Sequence, residues 1–490
     1  MVVVDTNERV NRLLADLGQR PVAAMAYATA WAGRLTAEDG RHVFPRAREW
    51  LRGHQHADGS WGGVVPNPYD RLVSTLAAVL ALHGADEWTA AAVRSGVDYL
   101  RGHATDWRGA VGEPIGFEVV APHLVEQAAA AGLLSLGGLD DLAALRDDKL
   151  ARIPPGALTT RPTALLYSLE ALGELAPPRE VAAFAAVNGS MANNPAATAA
   201  LWSATGEPTA LDYLRTAEQS TGDGGMPEVY PISVFEPGWV IYLLDRAGLA
   251  GVEAKRHVER LVELADGARL GVGVSAEFPV PDSDDTAMVA NVAHAFGHDN
   301  TALLESLLCF EADDHFVGFQ HERGVPVSAN ARVLEALGQQ PDRFAVQVAK
   351  ATTFLLDSRQ DGAWWYDKWH LSPHYATAQA VFALADTTAP GTLAGTRRWL
   401  LEGQHPDGSW GMAGGLPEET AYAVLSLDAL GDRHGPVPVD SMRRAGDYLG
   451  EHLDDPDFAE LWIGKGLYTP PAVVRAAVLA AHVASRAARP

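Results

Sequence analysis

A single cysteine, Cys309, in 490 residues excludes a disulfide within the chain and a cysteine-ligated metal cluster. Basic residues are also in short supply: 38 Lys and Arg stand against 62 Asp and Glu, a formal charge of −24. Such a chain lacks the excess cations that displace counterions from nucleic-acid phosphates, so a nucleic-acid partner is not expected. A small anionic ligand remains compatible where a local site is basic or carries a metal. No stretch approaches the ~20 uninterrupted apolar residues of a membrane span. The N-terminal MVVVDTNERVNRLLADLG has acidic residues and no long apolar core, which does not read as a signal peptide. A soluble cytoplasmic protein is the expectation. Runs of strand-forming β-branched residues are few, and low-complexity linkers are missing.

What remains is alanine and leucine. Apolar residues make up 47% and charged ones 20%, an ordinary globular balance, and ALAALxAL-like segments recur, which predicts a mostly helical fold. The length exceeds what one core fills, so more than one domain is expected. QHADGSWGG (55–63) and QHPDGSWGM (404–412) are nearly the same phrase near opposite ends. RQDGAWWYD (359–367), AVNGSMANNP (186–195) and AEQSTGDGGMPEVYP (217–231) are looser echoes. Each follows a helical segment and most precede another, the signature of repeated helix pairs joined by a Gly-rich turn. The glycines permit the tight turn, Trp61 and Trp410 lie across helix ends, and Gln55 and Gln404 tie backbone groups together. These motifs read as architecture, not chemistry. Hairpins of this kind stacked radially make an α/α barrel, and the length suffices for two.

FPVPDSDDTAM (278–288) gathers Asp282, Ser283, Asp284 and Asp285 between a proline and an apolar run. Pro281 ends one segment and AMVANVAHAFG reads as a helix with a terminal glycine. Asp and Ser are common N-caps, and negative charge suits a helix N-terminus. A cap needs only one or two such groups, however, and neighbouring carboxylates repel. The cluster is over-supplied for capping, which points to chemistry.

The DxDD motif followed by TA, in a chain of Q-x-x-DGSWG turns, resembles the class II terpene cyclases. The likeness is closest to the two-domain bacterial diterpene cyclases and copalyl diphosphate synthases. EPIGFEVVAP (113–122), KLARIP (149–154), PTALLYSLEALG (162–173), GGMPEVYPISVFEPGW (224–239), DKWHLSPHYATAQAV (367–381) and LWIGKGLYTP (461–470) stand in the family's order. The resemblance therefore covers nearly the whole chain. It implies an all-α fold of two α/α barrels with the active site between them. Residues 1–20 plus 236–490 would form the barrel carrying DxDD, and 21–235 an inserted second barrel. It also implies cyclisation of an isoprenoid diphosphate by protonation of its terminal double bond, with the diphosphate retained. By that analogy Asp284 is the general acid, flanked by Asp282 and Asp285. A free Asp titrates near ~3.9 and would be ionised in the cytoplasm. Burial and neighbouring carboxylates raise its proton affinity while the helix N-terminus lowers it; burial and like charge are expected to win, leaving a proton shared across the cluster.

Aromatic faces stabilise a carbocation without capturing it. Trp364, Trp365, Trp369, Trp410, Phe235, Trp239 and Tyr468 are the supply, with Trp369 the first choice. His370 beside it is either a buried hydrogen-bonding histidine or a partner of the acid cluster. For the diphosphate, the resemblance implies Mg²⁺ near the acidic segment upstream of PIGFE, here with Asp106 and Glu113; Mg²⁺ commonly uses only one or two carboxylates plus phosphate oxygens and water. Lys149, Arg152 and Arg161 form a basic segment where the family binds diphosphate. Lys465, inside the apolar LWIGKGLYTP and costly to bury unpaired, is expected as a further diphosphate contact. DDPDF (454–458) and DDHFV (313–317) lack the DDxxD spacing that diphosphate ionisation needs.

In the resembling plant ent-copalyl synthases, a histidine and an asparagine hold the water that takes the final proton. The matching positions here are Tyr167 and Glu228. A neutral phenol is a far weaker base than imidazole, so the plant quench is not expected. Glu228 is either a base or a surface carboxylate on a Gly-rich turn. The leading reading is conversion of geranylgeranyl diphosphate to a bicyclic labdane-, halimane- or clerodane-type diphosphate, passed on to a class I terpene synthase or a phosphatase. Farnesyl diphosphate giving drimenyl diphosphate is the alternative, ahead of a triterpene cyclase or a non-catalytic α/α scaffold. A homodimer is compatible with either.

Overall fold

The apolar residues of DSDDTAMVANVAHA and its counterparts have no clean polar face, and the computed structural model shows why. It describes residues 2–487 apart from positions 16, 19–21, 85–86, 136–138, 155, 267, 269, 279, 320–321, 323 and 437. The chain divides into two compact units, Met1–Arg20 with Ile232–Phe458 and Pro470–Pro490, and Pro21–Pro231 with Ala459–Thr469. The expected boundary between 20 and 21 itself lies outside the described residues.

In the first unit, among the described residues, Phe235–Arg246, Ser283–Ala295, Val327–Gly338, Pro373–Leu384, Pro417–Leu430 and Pro471–Ala487 each pack on the next, and the last packs on the first. These are the inner helices of a closed ring. Every residue from His374 to Leu384 is buried, as an element with neighbours on all sides requires. The helices outside the ring, such as Val439–Glu451 and Ala394–Glu402, bury one stripe only; the latter buries just Thr396 and Leu400. In the second unit the ring is formed by Ala26–Gly33, Pro68–Leu82, Phe117–Ala130, the 3₁₀ segment Ala164–Ala171 and Pro195–Thr205. Both units are α/α barrels. Among the described residues, strands are confined to two short antiparallel pairs, Ala24–Met25 with Met226–Pro227 and Trp462–Ile463 with Leu467–Tyr468.

The second of these pairs corrects the expected domain division. Residues 459–469 belong with the second unit rather than with 236–490. Their backbone is held there: Ile115 N donates to Gly464 O at 2.7 Å, Leu467 N to Asp70 Oδ1 at 3.2 Å, and Ala23 N to Thr469 O at 3.2 Å.

The repeated turns are architectural. The indole Nε1 of Trp61, Trp365 and Trp410 each donates at 2.6 Å to a carbonyl ten residues back, on Leu51, Leu355 and Leu400. The backbone N–H of the same three residues reaches Thr75, Thr377 and Thr420 on the following inner helix. Gln55 and Gln404 bridge the turn carbonyl to the next outer helix. Trp365 and Trp410, fully buried, are thereby removed from the cavity-lining aromatics. In DGS the glycine has φ +91° at Gly59, and a Cβ there would stand 2.5 Å from Ser95 O. Gly59→Ala is expected to lower stability by about 2 kcal/mol or more through backbone strain and the clash. Gly102→Ala, in open space within the Glu87–His103 helix, should raise it by up to about 1 kcal/mol. Urea midpoints of the two variants check this, and equal midpoints would show that the turn tolerates a side chain.

Candidate active site

The first unit carries the acidic cluster. Asp282 is the N-cap of Ser283–Ala295, accepting from Asp285 N at 2.7 Å, so the capping reading accounts for one carboxylate. The other two are surplus to it. Asp282 and Asp285 are 3% and 5% exposed, and Asp285 Oδ1 has no hydrogen-bond partner. Burial, then their mutual repulsion, lifts Asp282 well above the usual carboxylate range; burial chiefly lifts Asp285, to about 7. Two buried carboxyls this close are expected to titrate as a unit and to hold a proton between them. The side chain of Asp284 is 15% exposed. Burial raises it to about 6, against the pull of Arg332 and with a smaller push from Asp367.

Arg332 was not legible as a site residue. It lies mid-helix in Val327–Gly338 with no exposed surface. Its Nη1 donates to Asp284 Oδ1 and its Nη2 to Tyr375 Oη. The guanidinium stands 4.5 Å over the Trp239 ring, and Trp239 Nε1 donates to the same Tyr375 oxygen at 3.3 Å. The sole sequence signal was an arginine inside an apolar SANARVLEAL run.

His370 is the buried hydrogen-bonding histidine of the two readings. Its Nδ1 accepts from Ser372 N at 3.1 Å, its Nε2 faces Glu418 Oε1 at 3.2 Å, and its ring stacks on Tyr375 at 4.5 Å. Its link to Asp284 runs through Tyr375 and Arg332. Trp369 is half-buried with an unpartnered Nε1, and Lys368 Nζ lies 4.4 Å over its ring. Phe235 and Trp239 face each other at 4.3 Å.

The second unit holds a buried polar network. Ala164–Ala171, kinked at Ser168, brings the Tyr167 carbonyl and the Glu170 side chain to Lys465. Lys465 Nζ donates to Glu170 Oε1 at 2.5 Å, Asn194 Oδ1 at 2.7 Å and Tyr167 O at 2.7 Å. With three donors committed and 1% exposure, Lys465 has none left for a diphosphate. That expectation is corrected: the charge is paired inside the barrel because burying it otherwise costs several kcal/mol, about 3–5 when one partner is missing. Glu228 is not a surface carboxylate either. It is fully buried, and Tyr167 Oη donates to its Oε1 at 2.7 Å while Lys465 N donates at 2.9 Å. Its Oε2 has no partner. Burial raises its pKa against the Lys465 charge, and burial followed by Glu228 raises Tyr167 well above the ordinary phenol.

Of the basic segment, Lys149 Nζ lies 3.1 Å from Glu118 Oε1, Arg152 pairs with Asp148, and Arg161 is exposed. Asp106 is exposed and Glu113 half-buried.

The profile of the squalene-hopene cyclase C-terminal domain matches residues 293–455. Over 99% of both chains the fold superposes on ent-copalyl diphosphate synthase from Streptomyces platensis, with a TM-score of 0.82 and 30% identity. This is the α/α-barrel architecture of terpene cyclases. The type B diterpene cyclase of Mycobacterium tuberculosis is 34% identical over 94% of this chain and 95% of that protein. The copalyl diphosphate synthase of Streptomyces cyslabdanicus is 35% identical over 95% and 92%. The chain belongs to the class II diterpene cyclases.

Proposed function

We propose that the protein cyclises geranylgeranyl diphosphate to a bicyclic diterpenyl diphosphate, with Asp284 donating the initiating proton. The observation that carries this is a largely buried carboxyl in the first turn of a helix, beside two buried carboxyls, raised by burial to about 6. An isolated alkene is a very poor base, so its acid must be protonated before the substrate arrives. The Asp284 O–H bond breaks, a C–H bond forms at the terminal alkene, and the positive charge passes to the ring-forming carbons. Phe235 and Trp369 are the aromatic faces proposed for such a cation, each worth about 0.5–2 kcal/mol. Incubation with geranylgeranyl and farnesyl diphosphates plus Mg²⁺, followed by dephosphorylation and product analysis, tests the reading. Turnover of farnesyl diphosphate alone would replace the substrate.

Lys149, Arg152 and Arg161 are the proposed diphosphate cations. Among the described residues no three His, Cys, Asp or Glu side chains could together hold a metal ion. Mg²⁺ is commonly held jointly by phosphate oxygens, water and one or two carboxylates, for which Asp106 and Glu113 are the proposed candidates. Bound there, the ion would neutralise diphosphate charge. Asp106→Ala or Glu113→Ala should raise the Mg²⁺ concentration for half-maximal activity and the KM severalfold; superimposable magnesium titrations would remove both residues from the site.

Termination is proposed to use the Tyr167–Glu228 pair, with Glu228 rather than the phenol as the acceptor, because its Oε2 is buried without a partner. Tyr167→His with Glu228→Asn should therefore shift the product distribution. Wild-type ent-copalyl diphosphate as sole product, unchanged in the double variant, would sink this mapping. The retained diphosphate leaves the product fit for a class I terpene synthase or a phosphatase.

A further inference from the structure

The four inner helices that surround Asp284 carry a second feature toward their other ends. Seven residues after Trp239, Asp284, Arg332 and Tyr375 come Arg246, Asn291, Gln339 and Phe382, and these line one cavity of about 310 Å³. Seven residues make two helical turns, so the cavity lies about 10 Å further along the same helix faces. Its volume falls at the lower bound of ligand sites, about 300–1,000 Å³. We propose that this cavity binds a small organic cation, a protonated amine on an apolar or aromatic body.

Shape and lining choose the body of the ligand. Buried Ile241, Val292 and Leu334 give the cavity an apolar floor, and the Phe382 ring adds an aromatic wall. A metal ion is a poor occupant of such walls. Among the described residues no three His, Cys, Asp or Glu side chains could together hold one.

Charge chooses the head. Three carboxylates, Asp245, Glu335 and Asp386, line the cavity with a single cation, Arg246. That cation is already committed. Its Nη1 lies 3.3 Å from Glu335 Oε1 and its guanidinium 3.9 Å over the Phe382 ring, while Tyr242 Oη donates to Glu335 Oε2 at 2.7 Å. Asp245 and Asp386, exposed at the mouth, have no hydrogen bond or salt bridge to their side chains among the described residues. Phe235–Arg246, Ser283–Ala295, Val327–Gly338 and Pro373–Leu384 all end here, and a helix C-terminus carries partial negative charge that favours a cation. Arg246 over Phe382 already displays the recognition an ammonium would meet, a cation on an aromatic face beside a carboxylate. The site is independent of the donor assignment at Asp284.

The test titrates phenethylammonium, phenethyl alcohol and hydrocinnamate against the full chain near neutral pH, with binding read by ligand-detected NMR. The ammonium should bind with a Kd of about 1 mM or tighter, and the neutral and anionic probes about fivefold more weakly or worse. Gly338 lines the cavity and a Cβ there would meet nothing within 4 Å. Gly338→Phe therefore sets a ring in the space and should abolish binding. Asp245→Asn with Asp386→Asn should weaken the ammonium about fivefold or more and leave the alcohol unchanged. Ammonium ions also resemble a carbocation, which makes the acid cluster the rival location. Binding that survives Gly338→Phe overturns the proposal, and its loss in Asp284→Asn would then place the probe at that cluster. Equal affinity for all three probes, or no binding up to about 10 mM, overturns it as well. Should Gly338→Phe fail to fold by circular dichroism, the double aspartate variant, altered only at exposed side chains, decides alone.

Discussion

Asp284→Asn is expected to lose cyclase activity by at least about 1000-fold while remaining folded. General acids commonly contribute about 10²–10⁴ to a rate, and here no chemistry precedes the proton. The amide matches the carboxyl in shape and, being neutral, matches the protonated state in charge. Arg332 therefore faces in the variant what it faces in the resting wild-type site. The variant also carries a stability signature. Asp284 titrates at about 6 in the fold and near ~3.9 when unfolded. Its contribution is full below ~3.9 and is lost as the pH rises through about 6, since the folded state then holds a proton the unfolded chain has released. The asparagine has no such loss. At pH 4 the two proteins should unfold at similar urea concentrations, and at pH 8 the variant should be the more stable, by up to about 3 kcal/mol. Turnover within tenfold of wild type would remove Asp284 from the donor role. A variant less stable at pH 8 than at pH 4, relative to wild type, would show that the ion pair outweighs burial.

Lys465→Met should act on the fold. The substitution keeps the length of the side chain and leaves Glu170, with no exposed side-chain surface, as a buried carboxylate whose remaining partner is the Tyr27 hydroxyl at 2.9 Å. Loss of one member of such a pair costs about 3–5 kcal/mol, a large share of a typical domain's stability. Lys465→Met with Glu170→Gln removes the orphaned charge and preserves an acceptor for Tyr27, so it should recover at least half of the loss. Were Lys465 instead a diphosphate contact, the single variant would keep its urea midpoint and raise KM about tenfold or more. Midpoints and KM measured on the same preparations separate the two roles.

What the sequence displayed well was whatever repeats locally. QHADGSWGG and QHPDGSWGM spell out one turn, and the Trp, Gln and Gly of each perform the same backbone task. DSDDTAM was legible because a cap needs one carboxylate and three were present. What escaped were contacts made by folding distant segments together. Arg332 sits 48 positions from Asp284, and nothing in SANARVLEAL distinguishes a buried charged residue from one on a helix surface. Lys465 was noticed for the right reason, the cost of burying it, but its partners Glu170 and Asn194 lie 295 and 271 positions away. With those out of view a ligand seemed the only counter-charge. The same blindness placed 459–469 with its chain neighbours, whereas its hydrogen bonds run to Ile115 and Asp70.

That late hairpin bears on how the protein is made. A ribosome finishes residues 21–231 long before it reaches Thr469, yet until then Asp70 lacks the Leu467 amide, Ile115 lacks the Gly464 carbonyl and Glu170 has no ammonium. The other ring also waits, because Pro471–Ala487 both closes it and receives Val2–Ala15. Neither barrel can mature as a finished bead on the nascent chain. Both wait for residues 459–487, and a ribosome stalled before them would hold two open rings of apolar helices in need of a chaperone.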